Sequence, residues 1–170
     1  MFYVILYLVS ILAANLIITE FGPSMSILTA FVFIGLDLTV RDNLHDAWQR
    51  RGLWWKMSLL IATGSILSFL LNRNAGPIAL ASFVAFSASG IADTLVYHLL
   101  GKRTRLLRIN GSNVVSSAVD SVVFPALAFG FPLMWLIMLG QFAAKVVGGG
   151  LWSLVLTWYE GKESKKPVLT

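Results

Sequence analysis

Asp120 and Lys145 are the residues of this 170-residue chain best placed to do chemistry, because each interrupts a long apolar run. Asp93 interrupts a third run, and Asp37 lies near the end of a fourth. A charge at the centre of a bilayer costs about 2.5–3.5 kcal/mol even on the lenient insertion scale. Such residues must face a bundle interior or an aqueous cavity, where they pair with one another or meet a ligand. A buried carboxylate accepts a pair of N–H donors, and a buried lysine or amide donates to a carbonyl. The chemistry this points to is recognition of a small polar molecule.

The neighbours of these charges keep helical spacing. Ser82, Phe86, Ser89, Asp93 and Tyr97 share one helical stripe, and Asn113, Ser117, Asp120 and Phe124 share another. Gln141 precedes Lys145 by one turn, Gly148–Gly150 follow it, and Asn15 adds an amide to the first run. Asp37 and Arg41 are four apart with the acid first, the favourable order for an ion pair on one helix face; they read as a gate or a structural brace. Asp120 and Lys145 also suit a plain structural pair. The serines, glycines and phenylalanines also serve ordinary helix packing. Three carboxylates (Asp37, Asp93, Asp120) face two cations (Arg41, Lys145). If all five share a cavity, one carboxylate is left for a proton or for a substrate's donors.

The elements that must position these residues are apolar helices. The chain is 57% hydrophobic and 12% charged, about half the charged fraction of a soluble domain. Runs over residues 2–19, 25–40, 53–71, 77–100, 110–129 and 133–158 are each bounded by turn or charge signals. Runs of this length span the hydrocarbon core as helices. The fold class expected is an all-α integral membrane protein with six transmembrane helices, one domain over residues 1–159 and a tail over 160–170. No Lys or Arg precedes the first run, so it reads as a retained helix, not a cleaved signal peptide. Eleven of the thirteen Lys and Arg fall in the second–third loop, the fourth–fifth loop and the tail; Arg73 and Lys145 are the exceptions. With six spans those three segments share one face, which places both termini in the cytoplasm. The net charge of +5 is therefore a topology signal, and no nucleic-acid partner is expected.

Other classes lack their residues. The chain has no cysteine and no phosphate-binding loop, and its two histidines, His45 and His98, form no metalloprotease pattern. Ser117 with Lys145 makes a cheap match to a serine–lysine dyad among many serines. The chain is expected not to be an enzyme, and no cofactor or metal is implied.

The motifs resemble the queuosine-precursor transporter family, also described as the vitamin-uptake-transporter-like family. They are F-V-F-I-G-L-D-L-T-V-R over residues 31–41, A-S-F-V-A-F from Ala81 and A-D-T-L-V-Y around Asp93. V-D-S-V-V-F around Asp120 and F-A-A-K-V-V around Lys145 complete the set, and Asn15 falls where the family tends to place an asparagine. The match is collinear over about residues 12 to 150. It implies a six-helix transporter for a 7-deazapurine, most often 7-cyano-7-deazaguanine, in a bacterial inner membrane and without a partner ATPase. The implied fold is similar to the membrane substrate-binding subunits of energy-coupling-factor transporters. The chain departs from the family in a short loop between its third and fourth helices, in Gly90, around which more acidic or amide character is expected, and in Gln141, where an acid is expected.

A guanine-like edge carries two adjacent N–H donors and a carbonyl. Asp120 or Asp93 is expected to read the donors, and Lys145 with Asn15 or Gln141 the carbonyl. Phe86 or Phe124 would stack on the ring, with Asn113 and Ser117 completing the site. Two other functions compete: a membrane-embedded binding subunit that needs a partner ATPase, and an assembly protein whose ion pairs only fix packing. Homo-oligomers are compatible with any of the three.

Overall fold

The computed structural model describes residues 2–37, 40, 44, 52–101 and 105–163. Among them there is no strand. The helices are α1 (Phe2–Phe21), α2 (Met25–Asp37), α3 (Leu53–Leu71), α4 (Gly76–Leu99), α5 (Arg105–Phe129) and α6 (Trp135–Glu163). Four stretches are long and apolar enough to cross a membrane: Phe2–Phe21, Arg73–Leu99, Gly111–Phe129 and Trp135–Trp152. Over their described, apolar parts α2 and α3 are shorter.

Breaker residues set the turns. Gly22 and Gly130 hold φ of 81° and 70°, left-handed values that glycine adopts without a Cβ clash. Their N–H groups bond Ile18 O and Ala126 O at 2.9 and 3.2 Å, closing the ends of α1 and α5. Between α3 and α4, the Asn72 side chain accepts from Asn74 N at 3.0 Å and donates to Glu20 Oε1 at 2.7 Å. Pro77 occupies the first turn of α4, where its missing N–H costs nothing.

Two helices run further than the apolar pattern predicts. α5 begins at Arg105 rather than residue 110, and α6 continues to Glu163, so residues 160–163 of the expected tail are helical. Charged and apolar residues fill the first extension, and Glu160, Lys162 and Glu163 flank Gly161 in the second; neither holds a proline. Helix propensity carries on where hydrophobicity stops.

Polar side chains gather inside the bundle, beside an apolar core that includes Tyr7, Ile11, Val40 and Phe86, and the outside is apolar. Asn15, Ser26, Thr29, Asp37, Ser68, Asp120, Gln141 and Lys145 are buried, while Leu80, Leu136, Leu139 and Leu154 are exposed. A water-soluble protein turns polar side chains to such an outer surface. Apolar side chains gain nothing by leaving lipid for a protein interior, so packing and hydrogen bonds decide which face turns inward.

α4 and α5 form the most extensive helix pair, α1 packs on α3, and α6 packs on both α5 and α2. The α2–α6 crossing brings backbone against backbone. A Cβ on Gly35 would sit 2.7 Å from Gly148 C, and a Cβ on Gly148 would collide with the Phe31 carbonyl oxygen. Within that crossing, Ala30–Ile34 of α2 is a π-helical segment.

Gly35→Ala or Gly148→Ala is expected to wedge α2 from α6 and destabilise the protein by roughly 1–3 kcal/mol. Gly150→Ala, where a Cβ meets open space, is expected to leave stability unchanged. Unfolding midpoints of the three variants in detergent, followed by tryptophan fluorescence, check the contrast.

Candidate functional site

The site is organised by the ammonium of Lys145 on α6, which is 2% exposed. Its Nζ donates to Asp120 Oδ2 on α5 at 2.5 Å, to Ser121 Oγ at 3.2 Å and to Gln141 Oε1 at 3.2 Å. An ammonium carries three N–H groups, and all three are spent. The Asp120 carboxylate neutralises the charge, and the two neutral oxygens complete its coordination. A lysine is tolerable in a low-dielectric interior only on those terms. The helical spacing of Gln141 and Lys145 puts both on one face of α6. Lys145 also reaches the residue after Asp120, so one side chain ties two successive positions of α5.

A second polar knot joins three other helices. Asn15 on α1 donates through Nδ2 to Ser68 Oγ on α3 at 3.1 Å, and Ser82 Oγ on α4 donates to Asn15 Oδ1 at 2.6 Å. Ser68 passes its own proton to Gly64 O at 2.8 Å. The Asn15 amide thus braces α1, α3 and α4, with one amide N–H left over.

The two knots face a common cavity. Its lining is Ile11, Ala14, Asn15 and Ile18 of α1, Ser26, Thr29 and Ile34 of α2, Ser82 and Phe86 of α4, Asp120 and Phe124 of α5, and Lys145 of α6. Its free volume is about 20 Å³, space for about one water. Ser26 donates to Pro23 O at 2.5 Å and Thr29 to Ser26 O at 3.1 Å, so both hydroxyls already spend their protons on backbone. Phe86 and Phe124 are each 7% exposed. The Phe124 ring is held edge-on by Phe129 at a centroid distance of 5.8 Å.

The expected site residues divide accordingly. Asn15, Phe86, Asp120, Phe124 and Lys145 line the cavity together, and Gln141 stands behind Lys145 as its hydrogen-bond partner. Ser117 is buried on α5 but does not line the cavity. Asp93 and Asn113 are half-buried and lie outside the lining. Asp93 sits seven residues beyond Phe86 on α4, about 10 Å along the helix. Its Oδ1 is buried without a hydrogen-bond partner among the described residues. Asp37 is 1% exposed at the same end of the bundle. Its expected partner Arg41 is outside the described residues, and so is the gate or brace the two would form.

Ser26, Thr29, Ile34 and Ser121 are positions that sequence reasoning passed over. Thr29 and Ile34 are five apart, about 140° out of phase on an α-helix, so no helical stripe joins them. The wider turn of the π segment brings both to the cavity. Such segments are frequent at functional sites, but the apolar sequence A-F-V-F-I does not announce one. Among the described residues, no group of three or more His, Asp or Glu is placed to hold a metal ion.

The family described as "Putative vitamin uptake transporter" matches residues 2–159. The chain belongs to this family, and with its apolar helices and polar interior it is a membrane protein. No curated protein and no solved structure matches it.

Asp120→Asn removes the countercharge of a buried ammonium, and a broken buried pair of this kind costs about 3–5 kcal/mol. Adding Lys145→Met to Asp120→Asn is expected to recover much of that loss, because no charge is then left unpaired. Thermal unfolding of the two single variants and the double variant, compared as a cycle, checks the coupling.

Proposed function

We propose that this member of the vitamin uptake transporter family is a secondary transporter. In this reading it imports 7-cyano-7-deazaguanine, or a closely related purine-like base, across the bacterial inner membrane. The observation that carries the proposal is a cavity where a lysine–carboxylate pair, an amide and three hydroxyls meet two aromatic rings. A flat heterocycle with hydrogen-bonding edges uses both kinds of surface. The rings stack on its faces, and the polar groups meet its edge. The second Asn15 N–H and the lone pairs of the three hydroxyls are what the cavity has left to offer such an edge, and an apolar ligand would use none of them.

All six helices cross the bilayer in this reading, with both termini cytoplasmic, as the loop cations require. The bundle is then of the kind used by the membrane substrate-binding subunits of energy-coupling-factor transporters, working here without an ATPase. Its cavity lies toward the end of the bundle that carries Gly22, Arg73 and Gly130, the outer end. Asp37, Asp93, Tyr97 and Asn113 lie toward the cytoplasmic end and supply polar stations on the way in.

The free volume of about 20 Å³ is far below the roughly 300–1,000 Å³ of ordinary ligand pockets. In this reading the structure is a closed state, and a base is admitted only when helices separate. Alternating access by rocking of helix groups is the usual solution in secondary transporters.

Radiolabelled 7-cyano-7-deazaguanine uptake, measured in a bacterium that neither makes nor imports the base and lacks energy-coupling partners, tests the function. The wild-type chain is expected to restore uptake, and Asp120→Asn and Lys145→Met at matched membrane expression to abolish it. A well-expressed wild type without uptake would sink the substrate. The topology has its own test, helped by the absence of native cysteine. Arg73→Cys is expected to react with an impermeant maleimide on intact cells, and Leu107→Cys only after permeabilisation.

A further inference from the structure

Two hydrogen bonds settle which way the Asn15 amide faces. Ser68 gives its one proton to Gly64 O at 2.8 Å, so toward Asn15 its Oγ can only accept. The amide nitrogen must therefore face Ser68. The amide oxygen is left for Ser82, whose proton it takes at 2.6 Å. The second N–H of this amide has no partner among the described residues, and Asn15 lines the cavity.

Among the described residues, no other lining side chain has a donor to spare. Lys145 places its three protons on Asp120, Ser121 and Gln141. Ser26 and Thr29, one turn apart on α2, place theirs on backbone carbonyls. Ser82 has spent its proton on Asn15. Toward a ligand the three hydroxyls offer lone pairs, and the Asp120 carboxylate only accepts. The other lining residues are apolar. One donor thus stands against four side chains that can only accept.

The charge balance points the same way. Asp120 and Lys145 are the charged residues of the lining, and each neutralises the other. An anionic ligand would bring a second negative charge to an ammonium with no N–H left. To meet it, Lys145 would have to leave Asp120 and break a buried pair.

We propose that the cavity admits uncharged heterocycles whose edges carry mainly N–H donors, and that it excludes carboxylates although a lysine lines it. The hydroxyl oxygens of Ser26 and Thr29 accept from an amino group on the ring, and Asn15 is the one side chain that donates in return. The inference rests on the cavity being a substrate site, and it names the class of substrate that site admits. A lysine in such a place ordinarily suggests an acidic ligand; its saturation here argues against one.

Two matched pairs of ligands isolate these claims. Guanine and 2-methylhypoxanthine differ in an amino group or a methyl group of similar size. The 7-carboxamide and 7-carboxylate of 7-deazaguanine share a shape and differ in charge. Direct binding to the full-length protein in lipid nanodiscs is expected to favour guanine over 2-methylhypoxanthine by about tenfold or more. The amide is expected to bind about a hundredfold or more tighter than the acid. Ser26→Ala combined with Thr29→Val removes two accepting hydroxyls and leaves the Asn15 and Lys145 hydrogen bonds in place. The double variant is expected to bring the first ratio close to one and keep the second. Hydroxyls that only shape α2 would weaken guanine and 2-methylhypoxanthine equally, with their ratio unchanged.

Equal binding of guanine and 2-methylhypoxanthine by the wild type, binding of the acid as tight as the amide, or no binding of any of the four overturns the proposal. So does an unchanged first ratio in the double variant. The wild-type comparison needs no variant to fold. Both preferences without 7-cyano-7-deazaguanine uptake remove that base as a transported substrate and leave the selection standing. Uptake with neither preference does the reverse.

Discussion

A lysine ammonium buried at 2% exposure in an apolar bundle is the constraint on which the rest of the interior depends. Without water, each of its protons must find an oxygen and its charge must find a carboxylate. Those needs fix Asp120 opposite Lys145, turn the Gln141 oxygen inward and recruit Ser121. The approach of α5 to α6 is thus set by an electrostatic requirement rather than by apolar burial. In lipid, apolar burial would supply little preference for one helix face over another.

The same economy of polar contacts governs the other helices. Asn15 reaches Ser68 and Ser82, so a single amide sets α1, α3 and α4 in register. The α2–α6 crossing relies on glycine: Gly35 and Gly148 let two backbones touch. The π segment lies inside that crossing and turns Thr29 and Ile34 toward the cavity. Polar ties on one side of the site and close backbone contact on the other surround a space of about 20 Å³.

Polarity along the bundle gives the site a direction. The cavity and its aromatic rings lie toward one end, and Asp37, Asp93 and Asn113 toward the other. In the orientation proposed from the loop cations, a base would meet the aromatic and carboxylate surface first and the remaining acids later. The closed volume means that this passage depends on helix movement.

The sequence by itself determined the membrane class, the number and approximate limits of the helices, and which residues could not face lipid. Hydrophobic run length and the desolvation cost of charge are local properties, legible one segment at a time. Asp120 with Lys145 was legible as a pair for the same reason, and Asn15, Phe86 and Phe124 were legible as polar or aromatic interruptions at helical spacing. Helix ends past the apolar limit, at Arg105 and Glu163, were not, because propensity outlasts hydrophobicity there. Only the tertiary structure decided which of the chosen residues share a cavity. It left Asp93, Asn113 and Ser117 outside the lining, brought in Ser26, Thr29 and Ile34, and spent every proton of Lys145 within the protein. Those outcomes depend on a π turn, a glycine crossing and the saturation of one ammonium. Each is a relation between segments, and spacing along a single helix carries no record of it.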